Sequence, residues 1–183
     1  MELIEEIKRI ISIKDEILVD DLFEEYHPVD IALEVEDLDD EELETFLGLV
    51  SNENMALLLE SAEDELNAKI MESITNDDLI DIFTHMENSI VADLLGVLST
   101  ARRKAILSLM KSADKNILKM ILSFDEESAG GIMTTNFIAI KENLTAEEAI
   151  KKLRTISPET EIIDEIFVTD DYHRLQGIVT IRD

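Results

Sequence analysis

The sequence contains no cysteine and no tryptophan, and only 4% of its 183 residues are aromatic. Without cysteine there is no disulfide, no thiolate metal site and no cysteine nucleophile, and three histidines argue against a polyhistidine metal site. Bases are scarce as well: 16 Lys and Arg stand against 43 Asp and Glu, for a formal charge of −27. That balance excludes ordinary duplex nucleic-acid binding, which needs clustered Lys and Arg side chains to neutralise phosphates. It also argues against docking on an anionic membrane surface.

Long apolar runs are also missing. No stretch approaches the roughly 18 apolar residues that cross a bilayer, and the acidic opening at residues 1–6 is unlike a secretory signal, which starts with bases. We therefore expect a soluble chain on the cytoplasmic side, without direct membrane insertion. Its 45% hydrophobic residues suffice for the core of one domain or of two small ones.

A twelve-residue repeat is the strongest pattern in the chain. Eight consecutive blocks run from His27 to Leu122, and the twelfth position of every block is apolar. The eighth position is apolar except at Glu34, the ninth except at Lys119, and the fifth in five of the eight blocks. Positions 5, 8, 9 and 12 lie on one face of a helix, and most blocks open with a residue suited to a helix N-terminus.

Each block therefore predicts a two-turn helix followed by a tight turn. A helix that short is not stable alone, so the eight should stack into a mainly α, right- or left-wound superhelical solenoid. With two helical stretches before His27, this acidic helical-repeat domain is expected to span residues 1–124. Five methionines on or beside the apolar stripe are predicted to fill its core: Met55, Met71, Met86, Met110 and Met120.

The pattern changes at Asp125. Residues 125–135 are predicted to form a connecting segment, whose Gly130 and Gly131 lack the spacing of a phosphate loop and suit a flexible hinge. Residues 136–183 then predict an incomplete β-α-β-β unit of the α+β class. Its elements are a strand near 136–140, a helix at 145–155 opened by a capping box, and strands at 166–169 and 175–181.

Charge is unevenly distributed along the repeats. Residues 27–98 hold twenty acids and a single base, Lys69, whereas residues 99–122 carry a net charge of +5. The acidic stretch repels any acidic surface brought near, by about 1 kcal/mol per contacting pair in water, and divalent cations relieve such repulsion. Three acids of one predicted helix are candidate metal ligands: Asp77, Asp78 and Asp81. The alternative is that these carboxylates only solvate the outer helix faces.

No catalytic arrangement is evident. None of His27, His85 and His173 has a nucleophile or a metal-ligand partner at a useful spacing. We therefore predict that the chain is not an enzyme.

Four motifs resemble the cytosolic region of MgtE-type magnesium transporters. They are His27-Pro28-x-Asp30 at the start of the repeats, ADLLG at 92–96, SAGGIMTT at 128–135, and the tail at 166–183, which looks like the first half of that family's first CBS domain. The resemblance covers essentially the whole chain. SAGGIMTT is specific, whereas the repeats alone are shared by flagellar-motor and other helical-repeat proteins.

The resemblance implies a homodimeric Mg²⁺ channel in the cytoplasmic membrane. In that family, abundant Mg²⁺ bridges acidic surfaces of the N-terminal and CBS domains and holds the pore shut. When Mg²⁺ falls, repulsion separates the modules and the pore opens. The partners of this chain would then be its own absent CBS and transmembrane domains.

The resemblance also assigns metal residues. Asp93 matches the acidic position of the ADLLG helix that takes part in ion bridging, while Ser89 and Leu57 stand where the family often has an acid. The acids one block earlier are then candidate substitutes: Asp77, Asp78 and Asp81.

A nucleotide site is implied in the same way. Arg182 and Asp183 match positions that bind ATP in family members, and Glu165 replaces an aromatic residue that often supports the base. ATP is therefore expected as a ligand of the complete CBS domain, without tight binding by this chain.

A soluble adaptor is the alternative from a different class, with a helical-repeat interaction module joined to a CBS-type nucleotide sensor. A flagellar-motor-like switch protein is disfavoured by the β-rich tail. The sequence that follows Asp183 would distinguish the channel from the soluble adaptor, because a channel requires apolar segments of about 20 residues there.

Overall fold

The structure, a computed structural model, describes residues 3–125, 128–135, 137–155 and 165–180. The chain divides into two compact units, residues 1–133 and residues 134–183. Within the described ranges, no helix has the length and apolar character needed to cross a membrane.

Ten helices make up the described part of the first unit. They are α1 (Leu3–Ile13), α2 (Glu16–Glu25), α3 (Pro28–Glu36), α4 (Asp40–Leu47), α5 (Asn52–Ser61), α6 (Asp64–Ser73), α7 (Asn76–Phe83), α8 (Asn88–Val97), α9 (Thr100–Leu109) and α10 (Ser112–Ile121). From α3 onward each twelve-residue block supplies one helix, as predicted.

The first residue of each block is the N-cap of its helix. Asp39 accepts hydrogen bonds from the backbone N–H groups of Glu41 and Glu42, and Glu42 completes a capping box. Thr75 and Ser99 accept from the third residue of the helix in the same manner. His27 caps α3 through Nδ1, which accepts from the Val29 N–H at 3.3 Å. The helices of the repeat therefore begin every twelve residues, with the same period as the sequence pattern.

The predicted apolar stripe forms the core of this unit. Its eighth and ninth positions are buried in nearly every block, with Phe46, Ile70 and Ile106 fully enclosed. Met55 and Met71 are buried as predicted, but the core assignment of Met120 is wrong, because that side chain is 43% exposed. Met120 is the tenth residue of its block, and the 100° rotation per residue carries it off the buried face.

Three blocks place a polar residue at the fifth position, namely Asn67, Arg103 and Lys115, and the first two act in the same way. Asn67 Nδ2 donates to the Ala62 carbonyl at 3.0 Å, and Arg103 Nη2 donates to the Leu98 carbonyl at 3.2 Å. Each acceptor is the last residue of the preceding block, where a helix leaves carbonyl groups without intrahelical partners. Asn67 and Arg103 therefore donate hydrogen bonds to carbonyl groups at the C-terminal end of the preceding helix.

Most repeat helices pack chiefly on the helix after next, whereas α4 packs chiefly on α1. The main contacts join α3 to α5, α5 to α7 and α7 to α9 in one series, and α6 to α8 and α8 to α10 in the other. Helix α1 contacts both α3 and α4. The predicted solenoid of short helices is thus confirmed, and its stacking partners lie two blocks apart.

The second unit is a small α+β arrangement. It contains β1 (Ile138–Lys141), α11 (Ala146–Leu153), β2 (Ile166–Thr169) and β3 (Leu175–Val179). The sheet order is β1-β2-β3, with β1 parallel to β2 and β2 antiparallel to β3. The β-α-β-β order is as predicted, although β1 begins at residue 138 and α11 ends at residue 153.

One face of the sheet forms the core of the second unit. Ile138, Ile140 and Ile166 are buried there, and Ala149 and Leu153 of α11 pack against them. The capping box predicted at the start of α11 is present, since Thr145 accepts from the Glu148 N–H and Glu148 accepts from the Thr145 N–H.

Candidate functional site

The acidic stretch of residues 27–98 has few bases near its carboxylates. The ion pairs recorded for it within the described ranges are Lys8 to Glu42 at 3.2 Å and Lys69 to Glu65 at 3.5 Å. Several of its acids occupy the first turn of a helix, where the helix dipole favours negative charge. Many carboxylates of this stretch, such as those of Asp77 and Asp81, are exposed to solvent.

Helix α7 carries three of the predicted metal ligands. Asp77 and Asp81 are exposed and one turn apart, so they share a face as predicted. Asp78 is also exposed, but its carboxylate accepts from the Thr75 hydroxyl at 2.7 Å while Thr75 caps the Asp78 N–H. The structure thus gives Asp78 a local role in starting α7.

Asp93 lies on α8 and lines a small cavity of about 110 Å³. Gly96, one turn further along the same helix, and Arg103 of α9 line it as well. The side chain of Asp93 is exposed, which leaves it accessible to a hydrated ion.

The predicted ligands do not form a single metal centre. Among the residues that the structure describes, no group of three or more His, Asp or Glu side chains is arranged to hold an ion. Mg²⁺ commonly takes one or two carboxylates and keeps several waters. Exposed, separate carboxylates such as Asp77, Asp81 and Asp93 fit that kind of hydrated, bridging ion and do not fit a closed all-protein site.

Two arginines of α9 lie beside the candidate carboxylates, and sequence reasoning missed their positions. Arg102 donates from Nη2 to the Ile74 carbonyl at 2.6 Å and from Nε to Asn76 Oδ1 at 3.2 Å, next to Asp77 in the chain. Arg103 shares the Asp93 cavity. Arg103 was visible in the sequence as a charged residue at the fifth position of a block, where the stripe should be apolar.

The glycine pair at 130–131 belongs to a hydrogen-bonded turn. The Gly131 N–H donates to the Ser128 carbonyl at 3.0 Å, and Ser128 Oγ donates to the Asp125 carbonyl at 2.7 Å. A Cβ built on Gly130 would come within 2.5 Å of the Phe124 ring. Gly130 therefore packs closely on Phe124, where a larger residue would clash, and the expected hinge stays a prediction.

In the second unit, Asp170 organises the turn between β2 and β3. Its Oδ1 accepts from the N–H groups of Tyr172 and Arg174, both at 2.9 Å. Its Oδ2 accepts from Arg174 Nε at 2.9 Å and Gln176 Nε2 at 3.2 Å. These donors, led by the Arg174 N–H, lower the pKa of the Asp170 carboxyl below its usual value despite partial desolvation.

The lowered pKa of Asp170 predicts acid sensitivity of this turn. Because the folded pKa lies below the unfolded one, the contribution of Asp170 to stability is present above the ordinary aspartate pKa of about 3.9 and is lost as the pH falls through the folded pKa. We expect the amide proton shifts of Tyr172 and Arg174 to titrate with a midpoint below that ordinary value. The Asp170→Asn variant should lose that titration, whereas Asp171→Asn should keep it. A midpoint at or above the ordinary aspartate value would contradict the assignment.

The predicted nucleotide residues Arg182 and Asp183 lie outside the described residues. Their assignment stays a prediction. Glu165, which replaces the supporting aromatic residue, is exposed immediately before β2.

A helical-repeat domain followed by a CBS-type unit is the class that this architecture defines. The profile of the MgtE intracellular N domain matches residues 26–127, and that of the CBS domain matches residues 129–183. The first match covers more than half of the chain, so the chain belongs to the MgtE family and carries its intracellular N domain.

Curated relatives agree with the family assignment. The magnesium transporter MgtE of Thermus thermophilus is 25% identical over 166 residues, which cover 89% of this chain and 37% of the relative. The magnesium transporter MgtE of Bacillus subtilis is 22% identical over 162 residues, covering 88% of this chain and 36% of the relative. The chain thus spans a little over a third of the length of these magnesium transporters.

Two solved structures share the fold. The cytosolic domain of the Mg²⁺ channel MgtE in complex with ATP has a TM-score of 0.86 at 24% identity, covering 98% of this chain and 73% of that one. The soluble part of a magnesium transporter has a TM-score of 0.82 at 24% identity, covering 100% of this chain and 72% of that one.

Proposed function

We propose that this chain is the cytosolic Mg²⁺-sensing region of a Mg²⁺ channel, in which divalent ions bridge acidic surfaces and favour the closed pore. The observation that carries the proposal is the acidic stretch of residues 27–98, whose net charge of −19 has few neighbouring bases. Membership of the MgtE family supports Mg²⁺ as the ion and a role in transport.

Electrostatics supply the mechanism. Two acidic modules brought into contact repel by about 1 kcal/mol per charge pair in water, and by more where solvent is excluded. An ion that bridges them binds the closed arrangement better than the open one, so its concentration sets the balance between the two. Several weak bridges that form together give a steep response, because each adds its own preference for the closed state.

The partners and ligands follow from the same proposal. The N domain of residues 1–124 would act on the remainder of its CBS region and on the pore of the same protein, which we propose to be a homodimer. Residues 125–135 would connect it to the CBS region at 136–183. The ATP complex of a fold relative supports a nucleotide site in the complete CBS region, with Arg182 and Asp183 as its proposed residues. A soluble adaptor is less well supported, since the curated relatives are transporters.

Binding of Mg²⁺ by the chain itself tests the proposal. At constant ionic strength, an NMR titration should give a dissociation constant on the order of 1 mM, with the largest shifts on α8. Asp93→Asn should weaken binding at α8 severalfold because it removes the charged ligand at that site. Glu53→Gln, an exposed charge-matched control on α5, should weaken it by less than about twofold.

Two results would count against the proposal. Equal weakening by both variants would mean a diffuse acidic surface and no site at Asp93. Absence of any Mg²⁺-dependent shift in the first unit would mean that this domain does not sense the ion.

A further inference from the structure

The cavity beside Asp93 brings together one acid and one base. Asp93 and Gly96 lie one turn apart on α8 and both line the cavity, and Arg103 reaches it from α9. Arg103 Nη2 donates to the Gly96 carbonyl at 2.8 Å. Residues three apart on a helix are neighbours, with Cβ atoms about 5–6 Å apart, so the guanidinium is anchored on the carbonyl of a residue that neighbours Asp93 on the helix surface.

The Arg103 side chain is anchored but not fully satisfied. Its Nη2 bridges the Gly96 and Leu98 carbonyls at the end of α8, where the helix dipole favours a cation. Its Nε is buried and has no hydrogen-bond partner among the described residues. By contrast, the neighbouring Lys104 is exposed and does not line the cavity.

We propose that Arg103 is an internal counter-ion that competes with divalent cations at Asp93 and so sets the affinity of that position. This inference rests on the proposed function and deepens it. A carboxylate and a backbone carbonyl are oxygen ligands of the kind that Mg²⁺ prefers, and here Asp93 and Gly96 line a cavity that Arg103 also lines. An arriving ion must overcome repulsion from the guanidinium, so the site responds only when the ion is abundant.

The test compares three variants by Mn²⁺ titration, with paramagnetic broadening of the α8 amide signals as the readout. Arg103→Gln removes the cation from the cavity and is expected to tighten Mn²⁺ binding by about threefold to tenfold, the effect of one charge at this distance in a wet site. Arg103→Lys keeps the charge and should remain within about twofold of the parent. Lys104→Gln changes the net charge equally at an exposed position and should also stay within about twofold.

Adding Asp93→Asn to Arg103→Gln should abolish the gain, because the carboxylate for which Arg103 and the metal ion compete is then gone. Circular dichroism of each variant verifies that α8 and α9 stay folded. If Arg103→Gln unfolds, Arg103→Met removes the same charge with an unbranched side chain: tighter binding than the parent supports the inference, and equal binding overturns it.

The outcomes separate this inference from the proposed function. Tighter binding by Arg103→Gln alone supports the counter-ion role. Equal behaviour of Arg103→Gln and Lys104→Gln, with parent binding still dependent on Asp93, overturns the counter-ion role and leaves the sensing proposal intact. Binding that never depends on Asp93 in any variant overturns both.

Discussion

Replacing Phe46 by alanine is expected to lower the free energy of unfolding of the N-terminal unit by about 3–5 kcal/mol. Phe46 is fully buried at the eighth position of its block, and its removal leaves a cavity between stacked helices. Urea unfolding followed by circular dichroism measures the loss, because the helices of this unit dominate the signal.

Phe124→Ala is the matched control, since its ring is 44% exposed. The same chemical change there should cost about 1 kcal/mol, mainly through the lost contact with the turn at Gly130. If the two variants lost equal stability, the eighth position would not be the centre of the core.

Inserting one alanine between Leu57 and Leu58 is expected to abolish the folded N-terminal unit. The insertion rotates the rest of α5 by 100° relative to its start. The alanine then takes the buried place of Leu58, and Leu59, 1% exposed, is carried to the exposed place of Glu60. Replacing one buried leucine by alanine costs about 2–5 kcal/mol, and the same rotation displaces the turn into α6, so the loss rivals the lower end of the total stability of about 5–15 kcal/mol typical of a domain.

Leu57→Ala is the control for this insertion, because it adds alanine at the same place without changing the register. Leu57 is 38% exposed, so that variant should unfold cooperatively with a loss of about 1 kcal/mol. An insertion variant that kept a cooperative transition would show that the helix absorbs the extra residue as a bulge, and that strict register is not required.

Much of the N-terminal fold was predictable because the helix N-caps and the buried positions recur with the same twelve-residue period. A residue such as Asp39 or Thr75 caps its helix, and the same twelve-residue frame puts Phe46 or Ile82 in the core. The pairing of alternate helices was not predictable, since every block presents the same stripe and the sequence does not say which neighbour receives it. The polar fifth positions were not explained either, because their acceptors are carbonyl groups of the preceding block.

The candidate site was less predictable than the fold. Residues such as Asp77 and Asp93 are recognisable in the sequence as acids. Whether they can bind an ion depends on the residues that lie across a turn or a cavity from them. Arg103 shows this, because the sequence presents it only as one of the basic residues of 99–122, whereas in the structure it lines the same cavity as Asp93. Asp170 was predicted only as part of a polar turn, and its four hydrogen bonds become visible only when the hairpin is formed.

The stacking of alternate helices also has a kinetic consequence. Each helix meets its partner two blocks later, about 24 residues along the chain, so the loops that must close are short and similar in length. Contacts this local favour fast folding, and repeats that touch only near neighbours can nucleate at several places and propagate. At a synthesis rate of about 5–20 residues per second, each new partner emerges within a few seconds of the last. The N domain is therefore expected to assemble from its first helices onward while the rest of the protein is still being made.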